Sequence, residues 1–213
     1  MTFSLRMSKG YIVSGTDTGI GKTTVAAMLV LALDAFYWKP IQSGTQDGTD
    51  AQRVQALTHL PANRLLPEHY VLSQPLSPHR AAELDGVAID PKNLMVPAVE
   101  RMLVIEGAGG LLVPITRQLL QIELFADWDL PVLLCARTAL GTINHTLLSI
   151  EALRRRRLRL HGLIFVGDDN PDNMHTIAKI SGARILGRLP WLESLDRAAL
   201  LEAFARGFRR EDF

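Results

Sequence analysis

Cysteine is almost absent from this sequence: Cys135 is the single one among 213 residues. That excludes an intrachain disulfide and a cysteine-rich metal site. Cys135 lies in the apolar run Val132-Leu133-Leu134-Cys135-Ala136, where a buried small hydrophobe is expected rather than a catalytic thiol. Charge of one sign is not in excess: 23 Lys and Arg face 22 Asp and Glu, so nothing argues generally for nucleic-acid or membrane binding. The apolar stretch 25–33 is too short for a membrane span and suits a buried helix. Residues 1–10 lack the apolar segment of a secretory signal, and no small-residue cleavage site follows. A cytoplasmic protein is expected, with the residues before Lys9 as a loose extension. The histidines, at 59, 69, 79, 145, 161 and 175, form no pair with the spacing of a helical zinc site. A Gly-x-Ser-x-Gly elbow is lacking, which argues against an ordinary serine hydrolase.

What is present is the run Gly15-Thr16-Asp17-Thr18-Gly19-Ile20-Gly21-Lys22-Thr23, between apolar Tyr11-Ile12-Val13 and the helix-compatible stretch 25–33. Strand, glycine turn and helix in this order make a phosphate cradle. Backbone N–H groups wrap the phosphates, the lysine neutralises them, and the threonine hydroxyl reaches a magnesium ion. The fit is imperfect, because Thr16 stands where the common pattern has its first glycine and Gly15 lies one residue further out.

Short β-rich runs recur at 10–14, 36–39, 102–106, 131–136, 162–166 and 184–187. Helix-compatible segments lie at 23–33, 91–101, 143–156, 171–180 and 196–205. This alternation predicts one α/β domain over 1–213, a P-loop fold with a mostly parallel sheet covered by helices on both faces. Ligands on such sheets bind beyond the carboxyl ends of the strands. The proline-bearing stretch 44–91 reads as functional loops with turns and short helices. The run Arg154-Arg155-Arg156-Arg157 reads as a solvated helix end, where cations complement the dipole.

Polar residues cluster where that rule places ligands. Lys39 follows the second strand in Trp38-Lys39-Pro40 and puts a second cation beside Lys22, as phosphoryl transfer requires. Glu106 ends the third strand ahead of Gly107-Ala108-Gly109-Gly110, a position from which a carboxylate binds magnesium in phosphate-loop proteins. Asp47 and Asp50 are both placed to complete that site with Thr23, and spacing does not choose between them. Gly141-Thr142-Ile143-Asn144 begins a helix whose free N–H groups suit a substrate carboxylate, or which Thr142 or Asn144 simply caps.

In chain order the motifs are Gly15-Thr-Asp-Thr-Gly-Ile-Gly-Lys-Thr23, Trp38-Lys-Pro-Ile-Gln-Ser-Gly44, Ser77-Pro-His79, Val104-Ile-Glu-Gly-Ala-Gly-Gly110, Leu130-Pro-Val132, Leu140-Gly-Thr-Ile-Asn-His145 and Leu186-Gly-Arg-Leu-Pro-Trp191. Over nearly its whole length the sequence resembles the ATP-dependent dethiobiotin synthetase family of biotin synthesis. The resemblance implies a substrate, 7,8-diaminononanoate, whose amine captures carbon dioxide or bicarbonate carbon as a carbamate. The carbamate attacks the γ-phosphate of ATP, and the second amine closes a cyclic urea and expels phosphate. It also implies a homodimer with the substrate site shared across the interface. Lys39, Lys22 and Thr18 match catalytic positions. Gly19, Ile20, Gly21, Lys22, Thr23 and Thr24, with Asp50, Glu106, Gly107, Ala108, Gly109, Pro190, Trp191 and Leu192, match ATP contacts. Ser43, Thr18, Gly141, Thr142, Ile143 and Asn144 match substrate contacts, and Thr23, Asp50 and Glu106 match Mg2+ positions, which selects Asp50 over Asp47 by resemblance.

The sequence departs from the family pattern at two positions. Gly19 stands where members often carry an acid, and Val166 where many have an asparagine that reads adenine. A valine side chain cannot hydrogen-bond adenine, so weak base discrimination is expected. Two other readings fit the sequence less well. A regulatory ATPase of the partitioning and cell-division type would carry a signature lysine early in the loop, and Lys9 comes too early for it. A cobalamin-pathway amide synthase would need a glutaminase cysteine, which Cys135 does not supply.

Overall fold

In the computed structural model, which describes residues 9–213, apolar runs became strands and amphipathic runs became the helices that cover them. The reading of the first eight residues as an extension lies outside the described residues. In chain order the elements are β1 (Gly10–Gly15), α1 (Lys22–Leu33), β2 (Phe36–Trp38), β3 (Ile41–Ser43), α2 (Asp50–Thr58), β4 (Leu65–Leu66), β5 (Tyr70–Leu72), α3 (Pro78–Leu84), β6 (Leu103–Gly110), α4 (Gln121–Trp128), β7 (Val132–Arg137), α5 (Thr142–Arg155), β8 (Leu160–Val166), α6 (Pro171–Ser181), β9 (Ile185–Leu189) and α7 (Arg197–Gly207). Seven strands form one sheet in the order β4-β2-β6-β1-β7-β8-β9. Every pairing in it is parallel. A small parallel pair, β3 with β5, stands beside it.

Parallel strands need crossovers, and crossovers bury both faces of a sheet. Alternation along β1 shows the result: Tyr11 and Val13 pack with α1, whereas Ile12 packs on the opposite face with α4 and α5. Helices α1, α2 and α7 cover the first face, and α3 to α6 cover the second. Residues 25–30 of α1 have no solvent exposure. This central helix is therefore apolar around its whole circumference and fixes the loop that precedes it. The order places β6 and β7 on either side of β1. The strand order thus reverses at β1, and the crevice lies at the carboxyl ends of these strands.

Helices α2 and α3 are short helices within 44–91, as expected there, whereas α4 was not anticipated from the sequence. Helix α2 starts on a capping box, in which the Thr49 hydroxyl accepts from Gln52 N–H and the Gln52 amide oxygen accepts from Thr49 N–H. Helix α3 begins at Pro78, where the missing N–H is harmless. Helix α4 turns Ile122, Leu124, Phe125 and Trp128 into the core. The helix expected over 91–101 is instead a single 3-10 turn, Pro91–Leu94, after which Met95 is extended. Pro97 accounts for this, since it supplies no N–H and pushes the residue before it out of the helical region. Strand β2 stops at Trp38, one residue before Lys39, and β6 continues past Glu106 to Gly110. Arg154 and Arg155 lie in the last turn of α5, as the helix-end reading requires. Among the described residues no helix is long and apolar enough to cross a membrane.

Candidate active site

The loop between β1 and α1 is pinned from both sides. Thr16 N–H donates to the Cys135 carbonyl of β7 at 3.0 Å, and Arg137 Nη2 donates to the Thr18 carbonyl at 3.1 Å. Gly21 caps α1 with φ of 89°, a left-handed value that an L side chain rarely takes. A Cβ on Gly21 would also meet the Val166 side chain at 3.1 Å. Val166 is therefore a floor beneath the loop, and only 4% exposed. Among the described residues no side chain caps α1, so its leading N–H groups remain available to an anion. Lys22 begins that helix, 7% exposed, its ammonium donating to the Asp17 carbonyl at 3.0 Å. Burial lowers its pKa, and the fields of Glu106, Cys135 and Asp50 oppose only part of that effect.

A network of charge stands beside the loop. Thr23 Oγ1 donates within 2.8 Å of Glu106 Oε1 and lies 3.0 Å from Asp50 Oδ1. The Lys39 ammonium bonds Asp50 Oδ2 and, at 3.1 Å, Glu106 Oε1. On the other carboxylate oxygen, Glu106 Oε2 accepts from the Tyr37 hydroxyl at 2.8 Å. Lys39 and Glu106 are both buried, and burial by itself would push the lysine pKa down. The adjoining carboxylates of Glu106 and Asp50 outweigh it and hold Lys39 above the ordinary lysine value. Burial likewise pushes the Asp50 carboxyl up, but Lys39 and the Thr23 hydrogen bond leave it below the usual carboxylate value. Tyr37, wholly buried, is pushed well above the usual phenol value by burial and by Glu106 and Asp50.

Further contacts hold this network in place. The Gln42 amide oxygen accepts from Asp50 N–H at 3.1 Å, while its Nε2 donates to the Gly44 carbonyl at 2.9 Å. Gln121 does the same across the end of β6, accepting from Ala108 N–H at 2.6 Å and donating to the Gly110 carbonyl at 2.9 Å. Thr23, Asp50 and Glu106 present only oxygen, and among the described residues no cluster of three or more His, Cys, Asp or Glu converges. Such a donor set suits Mg2+ shared between protein and phosphate oxygens, because Mg2+ keeps few carboxylates and fills its octahedron from elsewhere.

A cavity of about 720 Å³ opens over these groups. Thr18, Gly19, Gly21, Lys22, Thr23, Thr24, Lys39, Ser43, Asp50, Glu106, Ala108, Gly109 and Trp191 line it. Ser43 Oγ is buried with no hydrogen-bond partner among the described residues. Other residues anticipated from the sequence lie outside the lining. Ile20 is buried against Gly15, and Gly107 packs against Phe125 and Gln121. Pro190 and Leu192 flank Trp191 without lining the cavity themselves. Gly141, Thr142, Ile143 and Asn144 start α5 at the end of β7, away from this cavity. Gly141 caps α5 in a left-handed conformation, and the Thr142 hydroxyl donates to the Arg137 carbonyl at 2.5 Å rather than capping the helix. Arg53, Pro75, Leu76, Ser77, Pro78 and Val113 also line the cavity and were not picked as site residues. The Thr49–Gln52 capping box and the Ser77-Pro-His79 motif were the sequence signals that could have placed most of them.

The comparisons with known proteins decide the family. Residues 9–199 match the family described as AAA domain, AAA_26. A protein of Rhodopseudomonas palustris (strain TIE-1) named ATP-dependent dethiobiotin synthetase BioD is 58% identical over 97% of this chain and 98% of its own. One of the same name from Novosphingobium aromaticivorans is 56% identical over 95% of this chain and 98% of its own. This chain belongs to the dethiobiotin synthetase family. The motif resemblance is borne out, and with it the reading as an ATP-dependent, ligase-type enzyme of biotin synthesis. The MinC:MinD cell division complex of Aquifex aeolicus aligns with TM-score 0.55 and 14% identity, covering 93% of this chain and 95% of that one. That likeness shows the P-loop fold alone. It bears out the fold class, and the regulatory-ATPase reading gains nothing from it.

Proposed function

We propose that the cavity joining the phosphate loop to Lys39 catalyses ATP-dependent carboxylation and ring closure of 7,8-diaminononanoate to dethiobiotin. The observation that carries this reading is the gathering of Lys22, Lys39, Thr23, Asp50, Glu106 and Ser43 around one cavity. The triphosphate lies along the N–H groups of residues 19–24, with Lys22 against its terminal phosphates. Ser43, whose buried hydroxyl is unpartnered within the described residues, and Thr18 receive the diamine and its carbamate. Trp191, two-thirds exposed on the cavity wall, gives the base a face to stack on.

An amine of the substrate adds to carbon dioxide and loses a proton, giving a carbamate anion. Lys22 and Lys39 hold that anion against the γ-phosphate, and a carbamate oxygen attacks phosphorus as ADP leaves. The second amine then attacks the carbamoyl carbon, the carbon–oxygen bond to phosphate breaks, and phosphate departs with the lost proton taken up by solvent. The protein does this by position and charge, since negative charge develops on oxygens that the two ammonium groups already face. Thr23, Asp50 and Glu106 are the groups that would hold Mg2+. When bound, Mg2+ neutralises charge on the β- and γ-phosphate oxygens.

We read the chain as one ATP-binding unit that works in the cytoplasm as a homodimer. Residues 141–144 lie outside their own chain's cavity, and Leu140 beside them is fully exposed, as is much of Leu148. Both facts support a role for the start of α5 at the partner's substrate carboxylate. The test is ADP formation by the purified protein. It is expected only when diaminononanoate, bicarbonate and Mg2+ are all present, and full turnover without the diamine would overturn the reading.

A further inference from the structure

The Glu106 carboxylate offers its two oxygens to different neighbours. Oε1 takes Thr23 Oγ1 at 2.8 Å and the Lys39 ammonium at 3.1 Å, whereas Oε2 takes the Tyr37 hydroxyl at 2.8 Å. The backbone register enforces this division. Tyr37 of β2 pairs with Val104 of β6, so Glu106 lies two residues on and on the same face. Tyr37 has no solvent exposure, Glu106 has 1%, and Tyr37 packs in the core beneath α1. Neither side chain can turn without breaking a buried, charge-assisted hydrogen bond.

We propose that Tyr37 is a specificity-determining residue: by holding Oε2 it makes Glu106 present a single oxygen, which favours Mg2+ over Ca2+. The proposal rests on the reading of Thr23, Asp50 and Glu106 as the Mg2+ donors. Mg2+ demands a tight octahedron of single oxygens, whereas Ca2+ accepts more ligands and readily takes both oxygens of one carboxylate. Binding both Glu106 oxygens to Ca2+ would make Oε2 serve the ion and the Tyr37 hydroxyl at once and weaken that buried, charge-assisted hydrogen bond, a penalty that Mg2+ on one oxygen avoids.

The experiment is calorimetric binding of a non-hydrolysable ATP analogue in Mg2+ and, separately, in Ca2+. It compares the natural protein with Tyr37→Phe, Tyr37→Met and, as a remote control, Tyr11→Phe. Tyr37→Met keeps an adaptable apolar side chain at the site should the phenylalanine variant fail to fold. In the natural protein Mg2+ supports tighter binding than Ca2+. In the Tyr37 variants that preference falls about tenfold through better binding in Ca2+, the size expected for one charge-assisted hydrogen bond. Tyr11→Phe, which removes a hydroxyl elsewhere in the core, leaves the ratio alone. An unchanged ratio in the folded Tyr37 variants overturns the proposal. Binding by the natural protein that needs no divalent cation overturns the metal reading itself, which is a distinguishable failure.

Discussion

The Lys39 ammonium stands 3.1 Å from Glu106 Oε1, with both side chains withdrawn from solvent and Asp50 closing the pair on its open side. A buried ion pair of this kind is weak as a source of net stability, yet removing one partner strands the other. Lys39 therefore answers to two requirements, neutralising the two carboxylates it bridges and offering charge to the reacting oxygens.

Lys39→Ala separates them. Product formation is expected to fall by at least about a hundredfold through lost charge stabilisation. Stability to urea is expected to drop as well, by about 3 kcal/mol, because the buried Glu106 carboxylate loses its partner. Steady-state product assays and urea unfolding of the same preparation check both. Unchanged activity would remove Lys39 from the site.

The same network sets a pH signature on stability. The Asp50 carboxyl titrates below its unfolded value, so it stabilises the fold above roughly pH 4 and loses that contribution as pH falls through its lowered native pKa. Lys39 titrates above its unfolded value, so its contribution is complete below roughly pH 10 and fades as pH rises through the raised native pKa. Lys22 runs the other way, since burial penalises its charged form and that penalty is relieved as pH rises from the lowered native pKa toward roughly 10. Urea midpoints of the natural protein and Asp50→Asn from pH 3 to 7 test the acid side. The difference between them should shrink toward low pH, and a constant difference would contradict the assignment.

Base selectivity should be weak. Val166 sits under Gly21 with 4% exposure, so it neither hydrogen-bonds a base nor faces the cavity. Initial rates with ATP, CTP and GTP are expected to differ by less than about a thousandfold in kcat/KM. A larger preference would show that other groups read adenine.

Trp191 is expected to matter for nucleotide affinity and little for folding, because it is exposed and lines the cavity. Trp191→Ala should raise KM for ATP by about tenfold, the loss of one stacking contact, while the melting temperature stays put. An unaltered KM would move the base elsewhere.

Cys135 should resist chemistry. Burial pushes its thiol up to about 12, with Lys22 pulling the other way. Mass spectrometry after iodoacetamide treatment of the folded protein at pH 8 should find it unmodified, and modification only after unfolding.

Much of this was legible in the sequence because it depends on local pattern. The strand–loop–helix around Lys22, the strand that carries Glu106 and the helix end at Arg154 each follow from apolar runs punctuated by glycine or charge. Tyr37 was invisible as a neighbour of Glu106, because only the β2–β6 register brings residues so distant in sequence together. Gln42 and Gln121 were missed for the same reason, since each holds a backbone segment that is near only in the fold. The helix expected over 91–101 does not form because Pro97 interrupts it, leaving the 3-10 turn Pro91–Leu94.

The most direct test of the account follows oxygen. With 18O-labelled bicarbonate, diaminononanoate and ATP, followed over seconds, the released phosphate should carry one labelled oxygen, because the carbamate oxygen that attacks phosphorus leaves with it. Phosphate free of label, formed alongside dethiobiotin, would mean that no carbamate attacks the γ-phosphate and would contradict the roles given to Lys22 and Lys39.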